Sequence, residues 1–122
     1  MRPRTAAVRS MAVIVAFWLV MAGPVDAVTS VSISPSSQSI AAGGTAHWTG
    51  SWAGSPPFSG YFIYGDGSSR LNFNTSAFSK TFSHPYPFLC TTTVYGQTLW
   101  VSDINGGRGA SSSVTVQGSH GC

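Results

Sequence analysis

Apolar and polar residues alternate in short runs along the chain after residue 27, and the runs end at Gly, Pro, Asn or Ser. Over residues 45–52, for example, Ala46 and Trp48 fall on one face of an extended strand, while His47 and Thr49 fall on the other. Turn residues recur about every ten positions, and the apolar residues do not recur at helical spacing. The pattern predicts an all-β fold, an immunoglobulin-like antiparallel β-sandwich of about seven strands.

The predicted strands are separated by segments rich in Gly and Pro. Pro35 ends the first strand, because its nitrogen cannot donate to a sheet. Residues 83–93 are expected to form a long irregular loop that contains two prolines and a cysteine. The positions that define the seven strands are Val31 with Ile33, 45–52, 60–64, 71–73, 78–82, 95–103, and Val114 with Val116.

One strand ends on a Gly-Asp-Gly turn, in the run FIYGDG at residues 62–67. Gly65 and Gly67 can adopt positive φ without a steric penalty. Asp66 can accept hydrogen bonds from the amides of the turn. A calcium site is the alternative, but calcium takes about six to eight oxygen ligands, and the few carboxylates of this chain supply that number poorly. We interpret Asp66 as a structural turn residue.

A second run, LWVSDING at residues 99–106, ends in a similar way. Asp103 is expected to accept hydrogen bonds at the end of this strand. Asn105 and Gly106, followed by Gly107, are typical of a hairpin turn. We interpret these residues as structural too, and we expect the strand to lie antiparallel to the last strand of the chain.

Taken in order, these motifs resemble a PKD-type domain (polycystic-kidney-disease repeat). That family carries an aromatic-x-aromatic-Gly-Asp-Gly run on its third strand, then a Tyr-led strand that ends in Val-x-Asp and an Asn-Gly turn, and a closing Val-Thr-Val strand. Residues 62–67, 95–106 and 114–116 match these motifs, so the resemblance covers roughly residues 31–117. The resemblance implies an immunoglobulin-like fold in which the aromatic residues of the first motif point inward.

The chain departs from the PKD pattern in two places. Gln97 is a polar member of an otherwise apolar alternating series, and the 83–93 loop stands where the family usually has a tight turn. The family's His/Thr/aromatic segment has two candidates here, residues 80–82 and residues 84–86, and the sequence does not choose between them. The resemblance therefore implies nothing about the conformation of the long loop.

Residues 1–27 have the pattern of a secretory signal peptide. Three arginines precede the uncharged apolar run 11–21, and small or aliphatic residues precede a predicted cleavage site after Ala27. A retained membrane anchor is the alternative, but a spanning helix needs about 20 apolar residues. We expect a secreted, extracellular domain of residues 28–122, with no membrane span after cleavage.

The predicted secreted domain is nearly neutral. Its three cations, Arg70, Lys80 and Arg108, stand against two carboxylates, which gives a net charge of +1. Proteins that bind nucleic acid carry a stripe or patch of basic residues, and this sequence contains none. We therefore predict no nucleic-acid partner.

Cys90 and Cys122 are the two cysteines of the chain. In the oxidising compartment that a signal peptide implies, a disulfide is the default state of such a pair. The last two strands of an immunoglobulin-like sandwich are antiparallel neighbours, so both cysteines should fall at the same pole and form an internal bridge. Pairing between two chains through Cys122 is the alternative.

The sequence shows no arrangement of residues typical of a catalytic site, because both carboxylates of the predicted domain are expected to accept hydrogen bonds in turns. The serines and the three histidines show neither nucleophile-elbow spacing nor metal-ligand spacing. We therefore predict a protein that is not an enzyme and that uses no cofactor or metal.

The alternation also places an aromatic patch on the outside of the predicted sandwich. The inward positions implied by the PKD resemblance leave Tyr61, Ile63 and Trp100 pointing outward from neighbouring strands. Exposed aromatic patches stack on sugars or anchor protein partners. The alternative is that loop 54–59 or loop 83–93 covers the patch.

These observations predict a secreted binding or adhesion module that recognises carbohydrate or protein at the cell surface or in the extracellular matrix. The alternative is a structural subunit that self-associates through its sheet edges into a surface layer or filament, which a low surface charge would favour. Both predictions depend on which parts of the sheets stay exposed after folding.

Overall fold

The computed structural model describes residues 27–122, which form eight strands in two sheets. The prediction of an all-β sandwich is confirmed, whereas the immunoglobulin-like topology stays a prediction. The predicted signal peptide lies, apart from Ala27, outside the described residues. The strands are β1 (Ser30–Ser34), β2 (Ser37–Ile40), β3 (Thr45–Ala53), β4 (Phe58–Ile63), β5 (Leu71–Thr75), β6 (Ser79–Pro85), β7 (Thr93–Asp103) and β8 (Gly106–Val116).

The strands form a three-stranded sheet of order β1-β3-β6 and a five-stranded sheet of order β2-β8-β7-β4-β5. The inner faces of the two sheets meet in an aromatic core. Trp48 of β3 lies with its ring centroid 5.0 Å from that of Phe62 in β4, and Phe62 stacks on Phe82 of β6 at 4.5 Å. The predicted alternation of β3 is confirmed, since Ala46, Trp48 and Trp52 are all buried.

All the buried apolar residues of the described range belong to a single hydrophobic cluster. They lie between residues 28 and 116, so residues 27–122 bury an apolar core of their own. They are Val28, Ile33, Ala46, Trp48, Trp52, Phe58, Phe62, Tyr64, Phe73, Phe82, Tyr86, Leu99, Val101, Val114 and Val116.

Strand β2 was not predicted from the sequence. β1 ends at Ser34, before Pro35, and the chain then moves to the other sheet, where β2 pairs in parallel with β8. β2 contains one apolar residue, Ile40, so its sequence shows no alternation that could mark it as a strand. The described chain therefore has eight strands instead of about seven, and the five-stranded sheet is mixed instead of purely antiparallel.

Two predicted connections differ from the structure. The irregular loop covers residues 86–92 and not 83–93, because β6 continues to Pro85 and β7 begins at Thr93. The β7–β8 hairpin turns at Ile104-Asn105 and not at residues 105–107, because Gly106 already pairs with Asp103. Gly106 has a φ of 135°, a conformation that favours glycine.

The disulfide between Cys90 and Cys122 is intramolecular, with its Cα atoms 5.4 Å apart. It lies at the pole where the 86–92 loop meets the end of the chain. The amide of Ser119 donates to the carbonyl of Leu89 at 2.9 Å, which is part of the same contact. The predicted internal bridge is therefore confirmed, and the interchain alternative is not what the structure contains.

Candidate functional site

The register of β4 and β7 brings the three predicted binding residues onto one surface. Tyr61 lies directly opposite Trp100, and Ile63 lies opposite Thr98. Their inward neighbour Phe62 is fully buried, whereas Ile63 is 36 % exposed and Trp100 is 37 % exposed. The outer face of the five-stranded sheet therefore carries these side chains, as the alternation predicted.

Trp100 lies flat on the backbone of β8. A Cβ atom added to Gly107 would lie 2.6 Å from Cζ2 of the indole, and one added to Gly109 would lie 3.3 Å from Cε3. Larger residues at these two positions would lift the ring off the sheet. One face of the indole is thus supported by the sheet, and the ring forms a fixed, partly exposed platform.

Tyr61 is covered by a cation. The guanidinium carbon of Arg70 lies 4.3 Å from the centroid of the Tyr61 ring, within cation–π distance. Arg70 immediately precedes β5, the strand next to β4. From the sequence Arg70 contributes only to the charge balance, because its contact with Tyr61 depends on the pairing of these two strands.

A shallow depression of about 340 Å³ borders Trp100 and Tyr61. Asn72 of β5 lies opposite Tyr61, and the hydroxyl oxygens of Ser59 and Ser102 lie 3.4 Å apart across β4 and β7. Amide and hydroxyl groups thus adjoin the aromatic surface. The residues that line the depression are uncharged, and they are Ser59, Gly60, Tyr61, Asn72, Phe73, Asn74, Trp100 and Ser102.

Asp66, in the Gly-Asp-Gly turn, has several hydrogen-bond donors. The amide of Ser68 donates to Oδ1 at 3.1 Å, and Nε2 of His84 donates to Oδ2 at 2.8 Å. Burial alone would raise the pKa of Asp66, but the hydrogen bonds from Ser68 and His84 outweigh it and lower the pKa to about 2. The His84 ring also stacks on Tyr64 at 3.9 Å. The carboxylate therefore connects the turn after β4 to β6 of the other sheet.

Asp103 is held in a comparable way at the opposite end of the sheet. Its Oδ1 accepts from the amide of Asn105 at 2.8 Å, and its Oδ2 accepts from the amide of Ser55 at 3.0 Å. The hydrogen bond from Ser55 is the main cause that lowers the pKa of Asp103. Within residues 27–122 no group of three or more His, Cys, Asp or Glu side chains is placed to hold a metal ion.

Gln97, the polar exception in β7, is buried and lies at the centre of a hydrogen-bond network. Its Nε2 donates to the hydroxyl of Tyr86 at 3.0 Å and to the carbonyl of Tyr95 at 2.9 Å, and its Oε1 accepts from Ser112 at 2.8 Å. The Tyr86 hydroxyl donates to the carbonyl of Tyr64 at 2.6 Å. Burial raises the pKa of Tyr86 to about 12, so that hydroxyl keeps its proton.

Comparisons with known families and with curated proteins found no relative of this chain. No family model matches the chain, and no curated protein matches it either. The resemblance to PKD-type domains therefore stays a prediction from the motifs. Of the residues that the structure describes, none form a helix that is both long enough and apolar enough to cross a membrane.

Proposed function

We propose that this protein is a secreted, non-enzymatic module that binds extracellular carbohydrate through the outer face of its five-stranded sheet. The observation that supports the proposal most strongly is the placement of Trp100. Its indole lies flat on the glycines of β8 and borders a depression lined by amide and hydroxyl groups. The surface is in place before any ligand arrives, so little ordering is required on binding.

The chemistry of this surface suits a sugar. A flat indole offers an apolar face to the C–H groups of a pyranose ring, while nearby amides and hydroxyls exchange hydrogen bonds with the sugar hydroxyls. Asn72 and Ser59 line the depression that Trp100 borders, and they offer an amide and a hydroxyl for this role. Because the residues that line the depression are uncharged, a neutral glycan is favoured over an anionic one.

A protein ligand is the other partner class that this surface could serve. Protein hot spots are enriched in Trp, Tyr and Arg, and this face contains Trp100, Tyr61 and Arg70. Arg70 already lies over Tyr61, however, so Trp100 is the aromatic ring with the more open face. A single aromatic platform with a polar surround favours the carbohydrate.

The non-enzymatic assignment is supported by the two carboxylates of the domain. Asp66 and Asp103 each accept hydrogen bonds on both oxygens from turn residues or His84. Both have lowered pKa values, so they are poorly suited to act as proton donors near neutral pH. We assign them to the structure of the turns.

Self-association is the second candidate function, and strand β5 favours it. β5 is an edge of the five-stranded sheet and has the sequence LNFNT, without the Lys or Pro that commonly protects an edge. Sedimentation velocity distinguishes this candidate. A monomer at high concentration, with no filaments by electron microscopy, would exclude it.

The carbohydrate proposal is tested by a glycan array with the wild-type protein, Trp100→Ala and Phe88→Ala. Phe88 is an exposed aromatic residue in the loop at the disulfide pole, so it controls for nonspecific adhesion. We expect wild type and Phe88→Ala to bind the same neutral glycans and Trp100→Ala to lose them while keeping its fold by circular dichroism. Equal binding by Trp100→Ala would refute the proposal.

A further inference from the structure

Two rows of residues cross the outer face of the five-stranded sheet at the level of Trp100. Each row consists of residues that lie directly opposite one another, from the edge strand β5 through β4 and β7 to β8. The first row is Asn72, Tyr61, Trp100 and Gly109, and the second row is Asn74, Ser59, Ser102 and Gly107. We call the second row the polar row. Neither row contains a charged residue.

The indole of Trp100 covers the β8 end of the polar row. A Cβ added to Gly107 would lie 2.6 Å from Cζ2 and 2.8 Å from Cε2 of the indole. Asn74 is exposed at the other end, and the hydroxyls of Ser59 and Ser102 lie between the two ends. An aromatic face, two hydroxyls and an amide therefore follow one another across the strands.

The polar row is open at both ends. β5 is an edge strand, and β2 pairs with β8 only from Ser113 onward, so no strand of the described chain lies beyond Gly107. The three strand spacings from β5 to β8 amount to about 14 Å, the length of about three pyranose units. A ligand in this row can therefore continue past the sheet in both directions.

We propose that Trp100 and the polar row bind an internal stretch of about three sugar units in a neutral linear polysaccharide that lies across the strands. This proposal rests on the proposed carbohydrate function, and it adds the kind of glycan and its direction on the sheet. A site for the end of a glycan needs a wall that stops the chain, and the described residues place none at either end of the row. Because the row is straight, it suits an extended β-1,4-linked chain better than a helical α-1,4-linked one.

Each position in the row has a role that its chemistry allows. Trp100 stacks on the first sugar ring. The Ser102 hydroxyl donates to the carbonyl of Ser59 at 3.3 Å, so its oxygen remains to accept a hydrogen bond from the sugar. Asn74 offers an amide donor and acceptor to the third sugar, on the strand farthest from the indole. A disaccharide held by Trp100 does not reach Asn74.

The first test measures affinity against glycan length by isothermal titration calorimetry. The probes are β-1,4-linked oligomers of glucose and of N-acetylglucosamine, and α-1,4-linked oligomers of glucose, each from the monosaccharide to the hexasaccharide. We expect affinity for a β-1,4-linked series to rise with length up to about three or four units and then to level off.

Asn74→Ala tests the distal end of the row in the same titrations. Asn74 is exposed, so the variant should keep its fold by circular dichroism. We expect it to weaken binding of the trisaccharide and longer oligomers about fivefold and to leave the disaccharide unchanged. Thr98→Ala removes an exposed hydroxyl of the same face that lies outside both rows, and it should change nothing.

The second test distinguishes internal from terminal recognition. Hydroxyethyl cellulose and glycol chitin, each in two chain lengths at equal mass concentration, are titrated with the protein. Internal binding predicts the same number of bound proteins per mass of polymer at both lengths. Binding that falls in proportion to the number of chain ends would overturn the proposal.

Further results would overturn this proposal and leave the carbohydrate function standing. They are equal affinity for the monosaccharide and the hexasaccharide, an equal loss for Thr98→Ala and Asn74→Ala, and glycan binding on the array without binding of either β-1,4-linked series. Unchanged binding of the array glycans by Trp100→Ala would instead refute the carbohydrate function itself, and this proposal with it.

Discussion

Nε2 of His84 lies 2.8 Å from Oδ2 of Asp66, and this contact joins the turn after β4 in one sheet to β6 in the other. The carboxylate side chain is only 10 % exposed. A Gly-Asp-Gly turn therefore does more than reverse the chain. It connects the two sheets at the pole where the 86–92 loop also lies.

This contact predicts a dependence of stability on pH. The pKa of Asp66 is lowered from 3.8 to about 2, so its ionised form stabilises the folded state above about pH 4, and this contribution is lost as the pH falls towards 2. We expect about 1–2 kcal/mol from this group, after allowance for solvent screening. Urea unfolding at pH 7 and pH 2 measures it.

The matched variant for the pH prediction is Asp66→Asn. It should be less stable than wild type at pH 7, and the difference between the two proteins should shrink at pH 2. A constant difference at both pH values would show that the Asp66 carboxylate does not contribute in its ionised form.

The two glycines of the turn predict unequal effects of the same substitution. Both have positive φ, 86° at Gly65 and 85° at Gly67. A Cβ at Gly65 would overlap the carbonyl of Gly96, whereas none of the described residues lies within 4 Å of a Cβ at Gly67. We expect Gly65→Ala to cost about 3 kcal/mol and Gly67→Ala about 1 kcal/mol. Equal costs by chemical denaturation would contradict the close approach of the two backbones.

We predict that an apolar side chain of similar volume cannot replace the buried Gln97 without a loss of stability, because the hydrogen bonds would be lost. Gln97→Met keeps the side-chain volume but leaves the hydroxyls of Ser112 and Tyr86 without this partner. We expect it to lower the free energy of unfolding by about 2–3 kcal/mol, and Ser112→Ala to lower it by about 1 kcal/mol. If Gln97→Met left the free energy of unfolding unchanged, the network would add no net stability.

The disulfide predicts a large loss of stability on reduction. Cys90 and Cys122 are separated by 32 positions, and closing a loop of that length stabilises the fold by about 3.7 kcal/mol in the chain-entropy treatment. We expect Cys90→Ser with Cys122→Ser to lower Tm by about 15 °C or more. A thiol assay on the native protein should find no reactive cysteine, and two reactive cysteines would contradict the bridge.

The fold class and strands such as β3 and β7 could be predicted from the sequence because their apolar and polar residues alternate with few exceptions. In β3 and β7 nearly every second residue is apolar, and burial follows that pattern residue by residue. β2 and the first half of β8 could not be read in this way. They consist mainly of Ser and Gly, and their strand conformation depends on neighbours that are distant in the sequence.

The candidate site also combines features that the sequence predicts with features that depend on strand pairing. The outward direction of Tyr61, Ile63 and Trp100 followed from the two-residue period of a strand. The flat seating of Trp100 on Gly107, and the cover that Arg70 provides for Tyr61, depend on which strands lie side by side. Pairing partners are tertiary information that a single sequence does not contain.

The most direct test of the carbohydrate proposal is a titration of ¹⁵N-labelled protein with a glycan from the array, followed through the tryptophan Nε1–H signals. Trp48 and Trp52 are buried in the core, so they serve as internal controls in the same spectrum. We predict that the Trp100 signal shifts and saturates with the glycan while the other two stay in place. A Trp100 signal that does not move when the protein is saturated with the glycan would contradict the proposed site.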